Sequence, residues 1–197
     1  MLLSLLSSQE KLDFLSIAKL LTICSKEITW DGKKLQDVTA PLNFDKFSIK
    51  KSEKEISLMN GLAKEAGIEI SKSFKDNSDA TFSFWSPETI EKQLLNKIKN
   101  YPFLRIEEPT TRVGAALAVL KDLLSGKRSD FPAAPKLILF ELMQVALVNG
   151  SISGIAMQLI NEFKQHYKIE DFVFHELLEQ AEVTSREISK TITIIFE

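Results

Sequence analysis

The chain of 197 residues contains a single cysteine, Cys24, and only seven glycines. One cysteine cannot form a disulfide within the chain, and Cys24 lies in an apolar helical run, where a thiol usually acts as a small hydrophobic side chain. Neither a glycine-rich phosphate-binding loop nor a Gly-x-Ser-x-Gly nucleophile motif occurs. The sequence therefore gives little reason to expect a nucleotide-dependent enzyme or a serine or cysteine hydrolase.

Long apolar runs and an excess of one charge are also missing. Charged residues interrupt every long helical segment, so none reaches the roughly 20 apolar residues that cross a bilayer. The 25 basic and 27 acidic residues are interspersed and give a net charge of −2, so nucleic acid is not the expected partner. The first residues lack the basic region of a signal peptide. We therefore predict a cytoplasmic protein in a reducing compartment.

Apolar residues at three- and four-residue spacing predict a mainly α-helical fold of about seven helices. Ser8 is the predicted N-cap of the first helix, and Ser52 with Glu55 forms a capping box for the second, which Gly67 ends. The chain is interpreted as one domain, residues 1–197, with a subdomain break left open at residues 126–135. The predicted helices span about residues 8–25, 52–67, 87–100, 110–126, 135–148, 153–167 and 169–181.

Four segments are less regular. Residues 27–47 suggest a short, distorted helix, and residues 102–109 an extended connection. Residues 68–87 fit either a β-hairpin insertion or an irregular polar loop with aromatic anchors, and both interpretations remain open. Residues 188–196 alternate in polarity, which favours a strand over a final helix.

A helix followed by a turn occurs twice, at residues 14–29 and 138–153. The copies align residue for residue, so that Leu15 matches Leu139 and Ile28 matches Ile152. This repeat resembles the TerB-like family of tellurite-resistance proteins and related co-chaperone amino-terminal domains. The resemblance covers about residues 9–32 and 135–182, and it implies two helix-turn-helix corners.

In that family a helix ends in an Ala-Asp-Gly turn and a Glu follows seven residues after the Asp, in both units. The matching positions here are Ser25 and Gly32 in the first unit and Asn149 and Ala156 in the second. All four carboxylates are therefore missing. Because hard cations need several oxygen ligands, we expect that a metal site of this kind has been lost and that no cofactor binds.

These observations predict a non-enzymatic protein-interaction or scaffold module whose partner is another protein. The resemblance alone implies a bacterial stress-response or defence setting. A competing hypothesis is a metal-dependent enzyme, because Glu162 and His166 share one helix face and His175 and Glu179 share another. Two separate pairs fall short of the three or four convergent ligands of a metal site.

Two further sets of residues are candidate binding sites. A basic run with interleaved aromatics could contact phosphate or a membrane surface, which keeps a lipid- or nucleic-acid-binding module as an alternative. Aromatic residues in irregular segments could anchor a partner, although such residues more often lie in the core. The basic set is Lys46, Lys50, Lys51 and Lys54; the aromatic set is Trp30, Phe82, Phe84 and Trp85.

Overall fold

The computed structural model describes residues 2–34, 37, 44–50, 52–68, 87–129 and 131–196. In these ranges it confirms a mainly α-helical fold with seven α-helices. They are α1 (Ser8–Ile23), α2 (Glu53–Glu65), α3 (Pro87–Ile98), α4 (Pro109–Leu124), α5 (Ala134–Ala146), α6 (Gly154–His166) and α7 (Asp171–Phe196). Short 3-10 helices cover Leu3–Leu5, Phe44–Lys46, Phe103–Arg105 and Leu147–Asn149.

The helices surround α1, which packs against α2, α3, α4 and α5. On the far sides of this centre, α4 packs against α3 and α6, while α5 packs against α6 and α7. The aligned repeat residues lie inside this core, since Leu15, Leu139 and Leu142 are fully buried. Leu124 and Ala134, on either side of the predicted subdomain break, belong to the same buried cluster.

The helix ends follow local signals. Ser52 and Glu55 form the predicted capping box of α2, and Gly67 has the left-handed φ of +73° that ends that helix. At α1 the N-cap is Ser7 rather than the predicted Ser8. The one-residue shift places Glu10 at the third helical position, where its carboxylate accepts a hydrogen bond from the Ser7 backbone N–H at 2.9 Å.

Within residues 27–47 the structure has a short helix, the 3-10 helix Phe44–Lys46, and also a small sheet that the sequence did not predict. Ile28–Trp30 (β1) pairs antiparallel with Lys33–Lys34 (β2) on one side and Phe47–Ile49 (β3) on the other. Asp31 and Gly32 join β1 to β2 with φ angles of +51° and +77°, the positive values of a two-residue hairpin turn. The first repeat corner therefore leads from α1 into a strand, whereas the corner after α5 leads into α6 as predicted.

Two other segments differ from expectation. Residues 188–196 continue α7 as a helix rather than forming a strand, and the connection at residues 102–109 contains the 3-10 helix Phe103–Arg105. The hairpin-or-loop segment lies outside the described residues, apart from Ile68 and Pro87 at its ends.

Candidate functional site

The two repeat corners meet at one cavity of about 240 Å³. Three of the four family-motif positions, Ser25, Asn149 and Ala156, line it. The corner after α5 is shaped by Gly150, whose φ is +88°, and by Ser153, whose hydroxyl accepts the Ala156 N–H at 3.2 Å and caps α6. The fourth position, Gly32, lies elsewhere, in the turn between β1 and β2.

An ion pair occupies this cavity. Glu55 on α2 pairs with Lys26, which follows α1, and Glu55 is the sole acidic residue among the described residues that line the cavity. Its Oε2 also accepts the Ser52 backbone N–H at 3.2 Å. One carboxylate already held by a lysine is a poor site for a divalent cation, which needs about six oxygen ligands. The cavity thus carries an internal salt bridge where the TerB-like resemblance would place acidic pairs.

Arg112 closes the end of α1 from the neighbouring helix α4. Its Nη2 donates hydrogen bonds to the carbonyl oxygens of Cys24 at 3.0 Å and Lys26 at 2.6 Å. Arg112 itself is only 5% exposed. Burial lowers the pKa of the Arg112 guanidinium and raises that of the Cys24 thiol to about 12. A protonated, buried thiol is a poor nucleophile, so Cys24 has the structural role that its position predicts.

Three of the four candidate metal ligands make other contacts, and the fourth is exposed. Glu162 on α6 is 3.5 Å from the Lys121 ammonium, and His166 stacks edge-on against Tyr167. On α7, His175 stacks edge-on against Phe174, and Glu179 is exposed. Among the residues that the structure describes, no group of three or more His, Cys, Asp or Glu side chains could hold a metal ion.

The lysines of the basic run are partly neutralised. Lys46 lies 3.1 Å from the Asp31 carboxylate, and its ammonium sits 5.3 Å from the Trp30 ring centre. Lys50 lies 3.6 Å from Glu27, and Lys54 is exposed in the first turn of α2. Lys51 lies outside the described residues. Two of the three described lysines of the run, Lys46 and Lys50, are therefore already paired with carboxylates.

The aromatic candidates are only partly described. Trp30 is half-buried on β1 and packs against the core, while Phe82, Phe84 and Trp85 lie outside the described residues. An interaction through the latter three stays a prediction.

A second cavity of about 480 Å³ lies beside α1, α3, α4 and α6. Its walls include Leu12, Phe163 and Tyr167, and the Lys127 ammonium is bound to Asp13 at 2.8 Å. Ser16, a hydroxyl in its lining, donates to the Leu12 carbonyl at 2.8 Å. Because that hydroxyl is bonded to backbone rather than to a base, the lining does not supply an activated serine.

The largest apolar exposure that sequence analysis missed is on α7. We define its free half as residues 183–196. The helix is buried at Phe174 and Ala181, where Gln144 of α5 donates to the Ala181 carbonyl at 3.1 Å. Every described residue from position 186 to 196 is exposed. These include Ile188, Ile192, Ile194, Ile195 and Phe196.

No protein-family model, curated protein or solved structure matches this chain significantly. The similarity to TerB-like proteins therefore stays a prediction that depends on the repeat and its motif positions. No described helix, including α7, is long and apolar enough to cross a membrane.

Proposed function

We propose that this chain is a non-catalytic protein-interaction module and that the free half of α7 is its contact surface. The main observation is that Ile188, Ile192 and Ile195 are exposed. They lie on the part of α7 that follows its last buried residue, Ala181. Large apolar side chains grouped in this way on a protein surface are typical of interaction sites. A helix that presents them at three- and four-residue spacing suits binding to a helix or groove.

The chemistry of the two cavities described above supports the non-catalytic part of the proposal. The corner cavity holds a lysine–glutamate pair, and the larger cavity holds a lysine–aspartate pair. Neither offers a nucleophile beside a base. A cytoplasmic location and a role in bacterial stress response or defence are further parts of the proposal, the latter supported only by the TerB-like repeat.

A protein partner is preferred over a lipid surface because of the charges on the free half. Membrane-surface helices carry many lysines and arginines on their polar face. The free half has Arg186 and Lys190, and the Lys190 ammonium lies 2.7 Å from Glu187. The remaining polar side chains in this segment are serines and threonines.

Quantitative co-purification from the cell that makes the protein tests the proposal. The tagged full chain is compared with Ile192→Asp and with the control Ile194→Asp, which adds the same charge on the other side of the same helix. We expect proteins bound by the wild type to be retained by the control and depleted at least about tenfold by Ile192→Asp. Equal retention by both variants, or equal loss, contradicts the proposal.

A further inference from the structure

The residues that precede α1 form a short strap against α5, which we define as residues 2–6. The backbone N–H of Leu2 donates a hydrogen bond to Oε1 of Glu141 on α5. Leu3 is fully buried and Leu6 is 5% exposed, and both belong to the core cluster, whereas Leu2 is 49% exposed. The contact with Glu141 and the two buried leucine side chains therefore hold the strap on the domain.

The strap can open without unfolding α1. The capping box of Ser7 and Glu10 holds the first turn of α1 from within that turn. Inside the strap, the backbone N–H groups of Leu5 and Leu6 donate to carbonyls of the strap itself, at 3.1 Å each. Segments with such local hydrogen bonds and few buried contacts are the parts of a protein that open first.

Glu141 lacks a partner for one of its two carboxylate oxygens. The residue is 1% exposed, and its buried Oε2 accepts no hydrogen bond from any residue that the structure describes. A neutral carboxylic acid tolerates this surrounding, but a buried ionised carboxylate with a single donor carries a large desolvation cost. The strap therefore covers a group whose charge the closed state disfavours.

The charges around Glu141 do not remove this cost. Burial has the largest influence on the pKa of Glu141 and raises it. The Leu2 N–H and the ammonium at the amino-terminus of the chain oppose the increase, and the Glu65 carboxylate of α2 adds to it. The balance of these influences still favours the protonated form in the closed protein.

We propose that Glu141 is a pH-sensitive latch, whose neutral acid keeps the strap closed and whose ionised carboxylate favours release of the strap. Release brings water to Glu141, where the carboxylate is hydrated. Between 4.5 and the raised pKa, the closed state keeps a proton that the open state has lost, so opening becomes more favourable as the pH rises. Release also uncovers the apolar site that Leu3 and Leu6 fill. The latch does not depend on the proposed contact surface of α7, so each can fail alone.

Amide hydrogen exchange of the full chain between pH 4 and pH 7 tests the latch. The Leu5 and Leu6 amides report opening of the strap, and the amides of Val119 and Leu120, in the buried part of α4, report unfolding of the domain. Rates are corrected with an unstructured peptide. We expect lower protection in the strap than in α4 at each pH. Strap protection should fall as the pH rises, by at most about tenfold per pH unit, because one proton is released.

Two variants show whether Glu141 is the group that titrates. Glu141→Gln keeps an oxygen for the Leu2 N–H but cannot ionise, so the pH dependence of strap protection should disappear. It should persist in the control Glu91→Gln, which changes a buried glutamate that accepts the Ile49 N–H of β3 at 3.2 Å.

Three results would overturn the latch. One is strap protection in the wild type that does not change with pH, and another is the same pH dependence in the wild type and Glu141→Gln. The third is equal protection of the strap and α4 amides at every pH, because the strap would then open only when the whole domain unfolds.

Discussion

Nη2 of Arg112 lies 3.0 Å from the carbonyl oxygen of Cys24, so that a buried arginine of α4 closes the C-terminal end of α1. The second repeat unit ends its helix differently, with Gly150 in the left-handed region at φ +88°. In the first unit Lys26 stands at the glycine position, and the carbonyls at the end of α1 are satisfied from another helix. Helix ends require one of these solutions when they are buried.

Replacing Arg112 by methionine should destabilise the fold. Methionine keeps most of the side-chain volume but leaves the carbonyls of Cys24 and Lys26 without their donor. Because hydrogen bonds to a charged group are worth about 1.5–3 kcal/mol each, we expect a loss of about 2–4 kcal/mol. Urea unfolding measures this loss. The control Arg105→Met removes an exposed arginine, 3.8 Å from Glu108, and should cost less than about 0.5 kcal/mol; similar losses in the two variants would contradict the capping role.

Glu141 on α5 should make stability fall as the pH rises. It is 1% exposed, and burial raises its pKa above the ordinary 4.5, although the Leu2 N–H donates to Oε1 and opposes this. Between the unfolded and folded pKa values the folded protein keeps a proton that the unfolded chain has lost. Folding stability therefore decreases with pH through this window.

Glu141→Gln keeps an amide oxygen for the Leu2 N–H and removes the titration. We expect its stability relative to the wild type to improve as the pH rises from 4 to 7. Chemical denaturation of both proteins over this range measures the difference. Parallel stability profiles for the two proteins would show that Glu141 has no raised pKa.

The corner cavity predicts no stabilisation by divalent metal. Glu55 is already bound to Lys26, and the motif positions Ser25, Asn149 and Ala156 carry no carboxylate. Metal-stripped protein should therefore gain less than about 1 °C in Tm with millimolar calcium, magnesium or zinc. Differential scanning calorimetry checks this. A gain of several degrees in the wild type would speak for a metal site that the corner does not explain.

The variant with Ser25→Asp, Asn149→Asp and Ala156→Glu is the matched comparison. It places three carboxylates around the same cavity, together with Glu55. If the TerB-like alignment of these positions is right, calcium should raise the Tm of this triple variant. Calcium should not affect the Tm of the control Gly32→Asp, because Gly32 lies in the β1–β2 turn. No response in the triple variant would argue against the alignment.

Local signals in the sequence were sufficient for most helices. Ser52 with Glu55, Gly67 and Ser153 each act within one turn of the chain, so their caps could be predicted. The small sheet could not, because Ile28 pairs with Ile49 across 21 positions and each strand has only two or three residues. The Asp31–Gly32 turn was the available signal, since Asp-Gly between short β-branched and aromatic segments favours a hairpin.

The end of α7 was misinterpreted because two periods compete there. Ile192, Ile194 and Phe196 alternate like a strand, and threonine and isoleucine have high β propensity. The continuing spacing through Ala181, Ile188, Ile192 and Ile195 indicates the helix, and this longer pattern decides the structure. The burial of Arg112 could also have been predicted from helical spacing. Arg112 precedes Ala116 and Leu120 at four-residue steps, which places its charged side chain on the buried face of α4.

Site-specific photo-cross-linking tests directly whether the free half of α7 contacts a protein. A photoreactive amino acid replaces Ile188 or, as the control, Ile194, which is 75% exposed but lies on the other side of the helix. In the cell that makes the protein, we expect discrete cross-linked proteins from position 188 and several-fold fewer from position 194. Equal cross-linking from both positions, or none from position 188, would contradict the proposed contact.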